Sequence, residues 1–336
     1  MLRERVSDDI YVFTSELYAQ VTAGAVIGLE GAVLIDTLAF PAETLEIKDF
    51  IENQLGSRVR YVINTHYHAD HANGTCLFPG AEVIGHRQCR DRLDTLGRSG
   101  LARAQKQSPD LAGLSVVLPT TLLTHGPLYL HAGKKTLQLF ATPGHSPDSI
   151  SVLLKEDRIL FAADMMMPIP HIVDGDLDDM VRSLAMIPEM GLENVVQGHG
   201  EVVLRGEIDD GVRSNLRYLD ILRKKVTGAV KRKKPREAMR EITIESCGKS
   251  RIPLNGLVAR LHEANVLSLY DKLTGYRKPE PPRAAIGKPA AWRPASAPRA
   301  RRQPSVKRAA APRPARPASK HVRSRNPRSH RPFRRR

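Results

Sequence analysis

Hydrophobic residues recur in short runs over the first two hundred residues, and longer stretches with a helical spacing separate some of these runs. Alternation and β-branched content predict strands over 10–13, 23–28, 31–36, 58–65, 116–124, 127–131, 136–142, 149–154 and 158–163. The second and third of these strands are joined across a turn at Leu29 and Glu30, and a helix is predicted over 42–55. Two groups of strands with helices between them predict an α+β protein, a two-sheet sandwich with helices outside in four αβ/βα layers.

The pattern changes after Asp209. Apolar residues then recur at spacings of three and four over 209–234 and 254–273, which predicts helices. Beyond Tyr276 the chain consists mainly of Pro, Arg, Ala and Ser and holds 12 of the 24 prolines, so it cannot offset its ordering entropy by burial. We therefore expect a catalytic domain over 1–206, a helical region packing on its core over 207–276, and a disordered tail over 277–336.

The net charge of the chain is concentrated in this tail. The formal charge is +16, but residues 277–336 carry 20 Lys and Arg against the single acid Glu280, which leaves the rest of the chain near −3. Any binding of nucleic acid or another polyanion is therefore expected through the tail alone. Two readings stay open for the tail: electrostatic attachment to such a partner, or an extension without function.

The spacing of the cysteines and the length of the apolar segments indicate the cellular compartment of the protein. Cys76, Cys89 and Cys247 lie far apart, which argues against a disulfide framework. The first residues lack the apolar stretch of a secretory signal, and no apolar run approaches the roughly 18 residues of a membrane span. We expect a cytoplasmic protein without a membrane interaction.

Candidate metal ligands cluster in the sequence NTHYHADHANG at 64–74, at the end of a predicted strand. Alternate residues that leave a strand into a turn can converge, so His66 and His68 can face one metal ion while Asp70 and His71 face a second. Further candidates also follow predicted strands, where a rigid scaffold leaves side chains accessible: His145 in TPGHS, Asp164 in AADMM, and His199 in QGHGE after the short run ENVV.

The order of these residues resembles the metallo-β-lactamase-fold superfamily of hydrolases: H-x-H-x-D-H at 66–71, then His145, Asp164 and His199, with Asp36 of VLIDT matching an early carboxylate of the family. The resemblance implies a first metal on His66, His68 and His145, a second on Asp70, His71 and His199, and Asp164 bridging them. It implies two Zn²⁺ per chain, with iron or manganese as alternatives, a bridging hydroxide as nucleophile, and Asp70 as the residue that orients it. Asp36 is expected to support the ligands and not to bind metal.

The residue types narrow the branch of the superfamily. A histidine at 68, where flavodiiron proteins of this superfamily carry glutamate, disfavours a redox di-iron role. An aspartate at 164 resembles glyoxalase II, lactonases and their relatives, which implies hydrolysis of a small carbonyl compound: a thioester, ester, lactone or lactam. Two alternatives stay open: a nucleic-acid-processing hydrolase recruited by the basic tail, and a mononuclear iron oxygenase of the persulfide dioxygenase kind.

Substrate contacts are predicted less directly. The loop after Asp164 is expected to rim the cavity, which makes Met166, Met167 and His171 candidate contacts, although methionine is also a common core filler. The helical stretch 209–273 either caps the sandwich or, as the resemblance to glyoxalase II implies, contributes to the substrate site. In the second case the cations of residues 224–234 are available to an acidic substrate.

Overall fold

The computed structural model describes residues 1–276, so the predicted disordered tail over 277–336 lies outside the described residues. The first sheet has seven strands in sequential order. They are β1 (Leu2–Ser7), β2 (Ile10–Thr14), β3 (Thr22–Gly28), β4 (Gly31–Ile35), β5 (Val59–Asn64), β6 (Glu82–His86) and β7 (Thr121–Leu123). Strands β1 to β4 are antiparallel, and β4 to β7 are parallel. Gly28 pairs with Gly31, which confirms the predicted turn at Leu29 and Glu30.

The second sheet has six strands. They are β8 (Leu128–Ala132), β9 (Lys135–Ala141), β10 (Ile150–Leu154), β11 (Ile159–Ala163), β12 (Asn194–Gln197) and β13 (Val202–Leu204), in the order β13-β12-β11-β10-β9-β8. All neighbours are antiparallel except β11 and β12, which are parallel. Because parallel strands end at the same edge, β11 and β12 deliver the residues that follow them to one place.

Seven α-helices accompany the sheets in the described part of the chain. They are α1 (Pro41–Asp49), α2 (Ala69–Ala72), α3 (Arg87–Arg92), α4 (Arg98–Gln105), α5 (Leu177–Ala185), α6 (Arg205–Lys231) and α7 (Leu257–Thr274). Helical turns continue α1 to Gln54 and join α3 to α4. The predicted C-terminal helices are thus present, with α6 beginning four residues earlier than the pattern indicated.

Three apolar clusters define the layers. The inward faces of the two sheets pack on each other, with Val33 and Ile63 of the first sheet and Val152 and Phe161 of the second in one buried cluster. The outer face of the first sheet is covered by α1 through Ile47. A cluster shared by β11, β12, α5, α6 and α7 covers the outer face of the second sheet. This helix, sheet, sheet, helix order confirms the predicted α+β four-layer sandwich.

Four strands differ from the sequence prediction. The prediction missed β1, whose mostly exposed LRERVS lies at the sheet edge and therefore lacks the buried run that marks a strand. It also missed the short EVIGH of β6 and the three residues of β13. The strand predicted over 116–124 was too long, because only Thr121–Leu123 pairs with β6. Pro119 has no amide hydrogen to donate to a neighbouring strand, and the pairing begins just beyond it.

Within residues 1–276, no helix is both long enough and apolar enough to cross a bilayer.

Candidate metal centre

Four of the candidate ligands come from one short segment at the end of β5. Strand β5 ends at Asn64, and the chain passes through His66 and His68 before the single turn of α2 begins. The amide of His71 donates to the carbonyl of His68 at 3.1 Å, which closes this turn. The turn reverses the chain, so that Asp70 and His71 face the region that His66 and His68 already face.

The other three ligands follow strands of the second sheet. His145 lies beyond β9, Asp164 directly follows β11, and His199 lies two residues beyond β12. Ala163 has a φ of +47°, a left-handed conformation that a non-glycine residue adopts only when the surrounding structure compensates. This conformation turns the chain as it leaves β11, directly before Asp164.

The structure brings all seven residues together in two adjacent groups. In each group one ligand atom per residue lies within 4.8 Å of the others: the first cluster is His66, His68, His145 and Asp164, and the second cluster is Asp70, His71 and His199. Asp164 also reaches the second cluster, with Oδ1 3.3 Å from His71 Nε2 and Oδ2 3.6 Å from His199 Nε2. Its Oδ2 is 3.2 Å from His145 Nε2.

The hydrogen bonds of the histidines hold one nitrogen of each ring and direct the other toward the centre, where it is free to bind metal when the ring is neutral. In the second cluster, His71 Nδ1 donates to Asp36 Oδ2 at 2.8 Å and His199 Nδ1 donates to the carbonyl of Ala19 at 2.9 Å. In the first, His145 Nδ1 donates to the carbonyl of His171 at 2.9 Å, and His68 Nε2 lies 3.5 Å from Asp174 Oδ2. A histidine whose other nitrogen donates outward presents an unprotonated nitrogen, which is the form that binds metal.

His66 is fixed in the same way by a relay. Thr65 Oγ1 donates its hydrogen to Asp36 Oδ2 at 2.7 Å, so the oxygen accepts from His66 Nδ1 at 3.1 Å. His66 Nε2 and His145 Nε2 then lie 3.0 Å and 2.9 Å from His68 Nδ1. A proton on His68 Nδ1 satisfies only one of these two pairs, whereas a cation among the three nitrogens satisfies all three.

Two buried polar atoms of the centre lack a hydrogen-bond partner. They are His71 Nε2 and Asp164 Oδ1, which lie 3.3 Å apart but not in hydrogen-bonding geometry. Leaving such an atom buried and unpaired costs about 1–3 kcal/mol. A divalent cation would satisfy both atoms, and histidine nitrogen with carboxylate oxygen is a donor set that zinc accepts. The residues present therefore fit a metal centre.

The electrostatics agree with this fit. Burial lowers the pKa of His145 to about 3 and holds the pKa of His66 well below its usual value, so both rings are neutral at pH 7. Burial acts in the same direction on His71, but the charges of Asp164, Asp36 and Asp70 outweigh it and raise its pKa well above the usual range. The second cluster thus lies in a strongly negative field that favours a cation.

Asp36 supports the ligands from beneath. It is almost completely buried, and it accepts from the Thr65 amide at 2.8 Å, the Thr65 hydroxyl and His71 Nδ1. Its φ of +58° is one that aspartate and asparagine tolerate better than other non-glycine residues. This placement agrees with the supporting role expected from the sequence.

Replacement of Asp36 by asparagine is expected to weaken metal binding by about 10–100-fold, the usual effect of removing a partner of a ligating histidine. Asparagine keeps the size and tolerates the backbone conformation, but its amide nitrogen cannot accept the hydrogen bonds that one carboxylate oxygen receives from Thr65 and His71. Competition with a chromophoric chelator measures the affinity. Asp94→Asn, which alters only an exposed ion pair with Arg98, is the control, and equal affinities of the two variants would contradict this role.

The three candidate substrate contacts lie in different surroundings. Met166 is buried in the cluster shared with α6, with Asn215 Nδ2 3.7 Å from its sulfur, which makes it a core residue in this structure. Met167 is also buried, and its carbonyl accepts from Asn215. The His171 ring lies beside His145, with 5.6 Å between ring centroids, and burial lowers its pKa to about 4. Of the three, His171 is the one in contact with a candidate ligand.

The centre is open on one side only. The side chains of His68 and Asp70 are 25 % and 19 % exposed, whereas the other five candidate ligands are at most 6 % exposed. Tyr18 is about half exposed and lies within the influence of the charges of Asp70 and Asp164. The charge of Asp70, burial and the charge of Asp164 raise its pKa to about 12, so its hydroxyl is neutral and can donate a hydrogen bond.

Several groups of the centre were not predicted from the sequence. The carbonyls of Ala19 and His171 carry no side-chain signal, and Tyr18 and Asp174 lie in loops without a motif. Asp174 accepts from Tyr67 Oη at 2.5 Å and from Arg92 Nη1 at 3.3 Å, in addition to its contact with His68. Only the position of Asp174, ten residues beyond Asp164 in a loop expected at the rim, offered any indication.

Comparison with solved structures shows the same fold. The chain is similar to the stereoselective inverting sec-alkylsulfatase Pisa1 from Pseudomonas sp., with 16% identity and a TM-score of 0.65 over 83% of this chain and 52% of that one. It is also similar to a metallo-beta-lactamase from Pontibacter korlensis, with 19% identity and a TM-score of 0.53 over 63% of this chain and 97% of that one.

Sequence comparison finds curated relatives with low identity. A Beta-lactamase-like protein 2 homolog of Caenorhabditis elegans is 27% identical over 44% of each chain. Lactamase-like protein nscB of Trichophyton equinum is 29% identical over 54% of this chain and 48% of its own length, and Thioesterase pkgB of Emericella nidulans is 25% identical over 51% and 43%. The chain spans about half the length of the curated relatives it matches.

The family model described as the metallo-beta-lactamase superfamily matches residues 19–226, more than half of the chain. The matched range contains both sheets from β3 onward and all seven candidate ligands. The chain therefore belongs to the metallo-beta-lactamase superfamily.

Proposed function

We propose that the protein is a hydrolase of a small carbonyl compound and that its two ligand clusters hold a pair of divalent ions, zinc in the first instance. The single observation that carries this proposal is the convergence of histidine Nε2 atoms on one buried carboxylate, Asp164, that reaches both clusters. The Nδ1 atoms of the same rings are held by hydrogen bonds on the outer side. Membership of a superfamily of hydrolases supports it. The glyoxalase II and lactonase branch stays part of this proposal.

The residues would share the metals as follows. His66, His68 and His145 would hold the first ion, Asp70, His71 and His199 the second, and Asp164 both. When bound, such a pair supplies Lewis acidity toward a carbonyl oxygen and lowers the pKa of water to about 7. Iron or manganese would suit the same oxygen and nitrogen donors.

The chain's own groups would then orient the reaction. Asp70, on the open side, can accept a hydrogen bond from the attacking water and fix its direction. Tyr18 can donate to an oxygen of the substrate there. The water oxygen bonds to the carbonyl carbon, the bond to the leaving sulfur, oxygen or nitrogen breaks, and the proton from water passes to the leaving group, which gives an acid and a thiol, alcohol or amine.

The test is a panel of chromogenic thioesters, esters, lactones and lactams assayed with zinc-loaded full-length protein. Thioesters come first, because one relative is a thioesterase. We expect turnover of at least one class, lost in Asp70→Ala and reduced in Tyr18→Phe, with the metal content of Tyr18→Phe unchanged. A metal-loaded protein that hydrolyses no member of the panel would contradict the proposed substrate class.

Deletion of the tail, assayed with the same panel and with RNA and DNA, distinguishes this proposal from a nucleic-acid-processing enzyme. A chain lacking residues 277–336, which carry the basic excess, should turn over small substrates as fast as the full chain. Cleavage of RNA or DNA by the full chain, lost on this deletion while small substrates are not hydrolysed, would favour the alternative.

A further inference from the structure

Helix α7 holds a loop that lies against the metal centre. The loop comprises residues 170–175, and Asn265 of α7 is completely buried against it. The amide of Ile172 donates to Asn265 Oδ1 at 2.9 Å, and Asn265 Nδ2 donates to the carbonyl of Pro170 at 2.7 Å. Lys272 Nζ donates to the carbonyl of Gly175 at 2.5 Å. Helix α7 thus fixes both ends of the 170–175 loop.

Asn265 is itself held by a buried polar network. Its Nδ2 also donates to Tyr218 Oη of α6 at 3.1 Å, and Tyr218 Oη lies 3.0 Å from His262 Nδ1. His262 Nε2 donates to the carbonyl of Ile242 at 2.8 Å. With both amide hydrogens and the amide oxygen engaged, Asn265 has one orientation, and a satisfied buried network of this kind rigidifies what it touches.

The other side of the 170–175 loop contacts the first cluster. The carbonyl of His171 accepts from His145 Nδ1 at 2.9 Å, and Asp174 Oδ2 lies 3.5 Å from His68 Nε2. These are the contacts that leave the second nitrogen of each ring bare. Within residues 1–276, no hydrogen bond joins this loop to the second cluster, whose histidines are anchored by Asp36 and by the carbonyl of Ala19.

We propose that Asn265 is a positioning residue for the first metal ion: through the 170–175 loop it sets the ring orientation and tautomer of His145 and His68. The inference rests on the proposed metal binding and goes beyond it. Asn265 lies outside residues 19–226, the range matched by the family model. The positioning of the first cluster would therefore depend on a residue beyond that range. Helix α7 would thus support the zinc affinity of the first cluster and not that of the second.

The test measures zinc affinity of the metal-free full-length protein in two backgrounds. His199→Ala leaves the first cluster complete, and His66→Ala leaves the second complete. Asn265→Ala should weaken zinc binding by about 10–100-fold in the first background and leave it unchanged in the second. An Asn265 that only stabilises the fold would produce the same change in both.

Tyr218→Phe is the matched control, because it removes a hydroxyl from the same buried network and keeps both bonds between Asn265 and the loop. It should leave zinc affinity unchanged in both backgrounds. Should Asn265→Ala fail to fold, Asn265→Asp, which still accepts from the Ile172 amide but cannot donate to the Pro170 carbonyl, should give the same selective loss. An equal loss of zinc affinity in the two backgrounds, or no loss in either, would overturn the inference. A wild-type protein that binds no zinc would overturn the proposed function together with the inference.

Discussion

Asp164→Asn is expected to lower turnover by at least about a hundredfold, beyond the 10–100-fold effect typical of groups that only support ligands. Asp164 is the residue whose oxygens reach both clusters, at 3.2 Å from His145 Nε2 and 3.3 Å from His71 Nε2. Asparagine has the same shape but lacks the charge, and its amide nitrogen cannot bind a metal ion facing it. Both ions should therefore be held more weakly.

The measurements are steady-state kinetics and metal content of the purified variant. Asp220→Asn, which removes one partner of an exposed pair with Lys224, is the control and should keep both values. An Asp164→Asn protein with wild-type turnover and wild-type metal content would show that this carboxylate does not link the clusters.

Gly198→Ala is expected to abolish metal binding although Gly198 is not a ligand. A Cβ at this position would overlap Asp164 Oδ1 and lie 2.7 Å from main-chain atoms of Ala163 and Asp164. The main chain cannot move away, because the Gly198 amide donates to the carbonyl of Ala163 at 2.8 Å. The carboxylate must therefore leave its place, and the overpacking should also cost about 1–3 kcal/mol of folding free energy.

Thermal unfolding and metal content test this prediction together. Gly206→Ala is the control, since a Cβ there meets nothing within 4 Å and alanine favours the helix α6 that contains it. That variant should be as stable as the wild type or more so, with full metal content. A Gly198→Ala protein with wild-type metal content would mean that the strands β11 and β12 can separate enough to admit a methyl group.

The sequence was sufficient for the fold class and for the candidate ligands because both follow from local patterns. Strands β9, β11 and β12 were visible as apolar runs, and His145, Asp164 and His199 each follow one of them, so their convergence could be expected from the edge at which strands end. Strand β1 was not visible, because an edge strand with charged, exposed side chains resembles a loop.

The groups around the ligands could not be found in the same way. Asn265 acts at a distance of about a hundred residues along the chain from the 170–175 loop, and nothing in its neighbourhood in α7 distinguishes it from a solvent-facing asparagine. The carbonyl of Ala19 contributes main chain only. Met166, two residues beyond Asp164, is buried where α6 packs on β11, and its contact with substrate stays a prediction.

The most direct test of the account is the number of metal ions per chain. Full-length protein, freed of metal with a chelator, saturated with zinc and passed through a desalting column, should contain two ions per chain, and the His66→Ala and His199→Ala variants should each contain one. Wild-type protein that retains no metal, or only one ion per chain, after saturation with zinc, iron or manganese would contradict the central claim that these two clusters form a dinuclear centre.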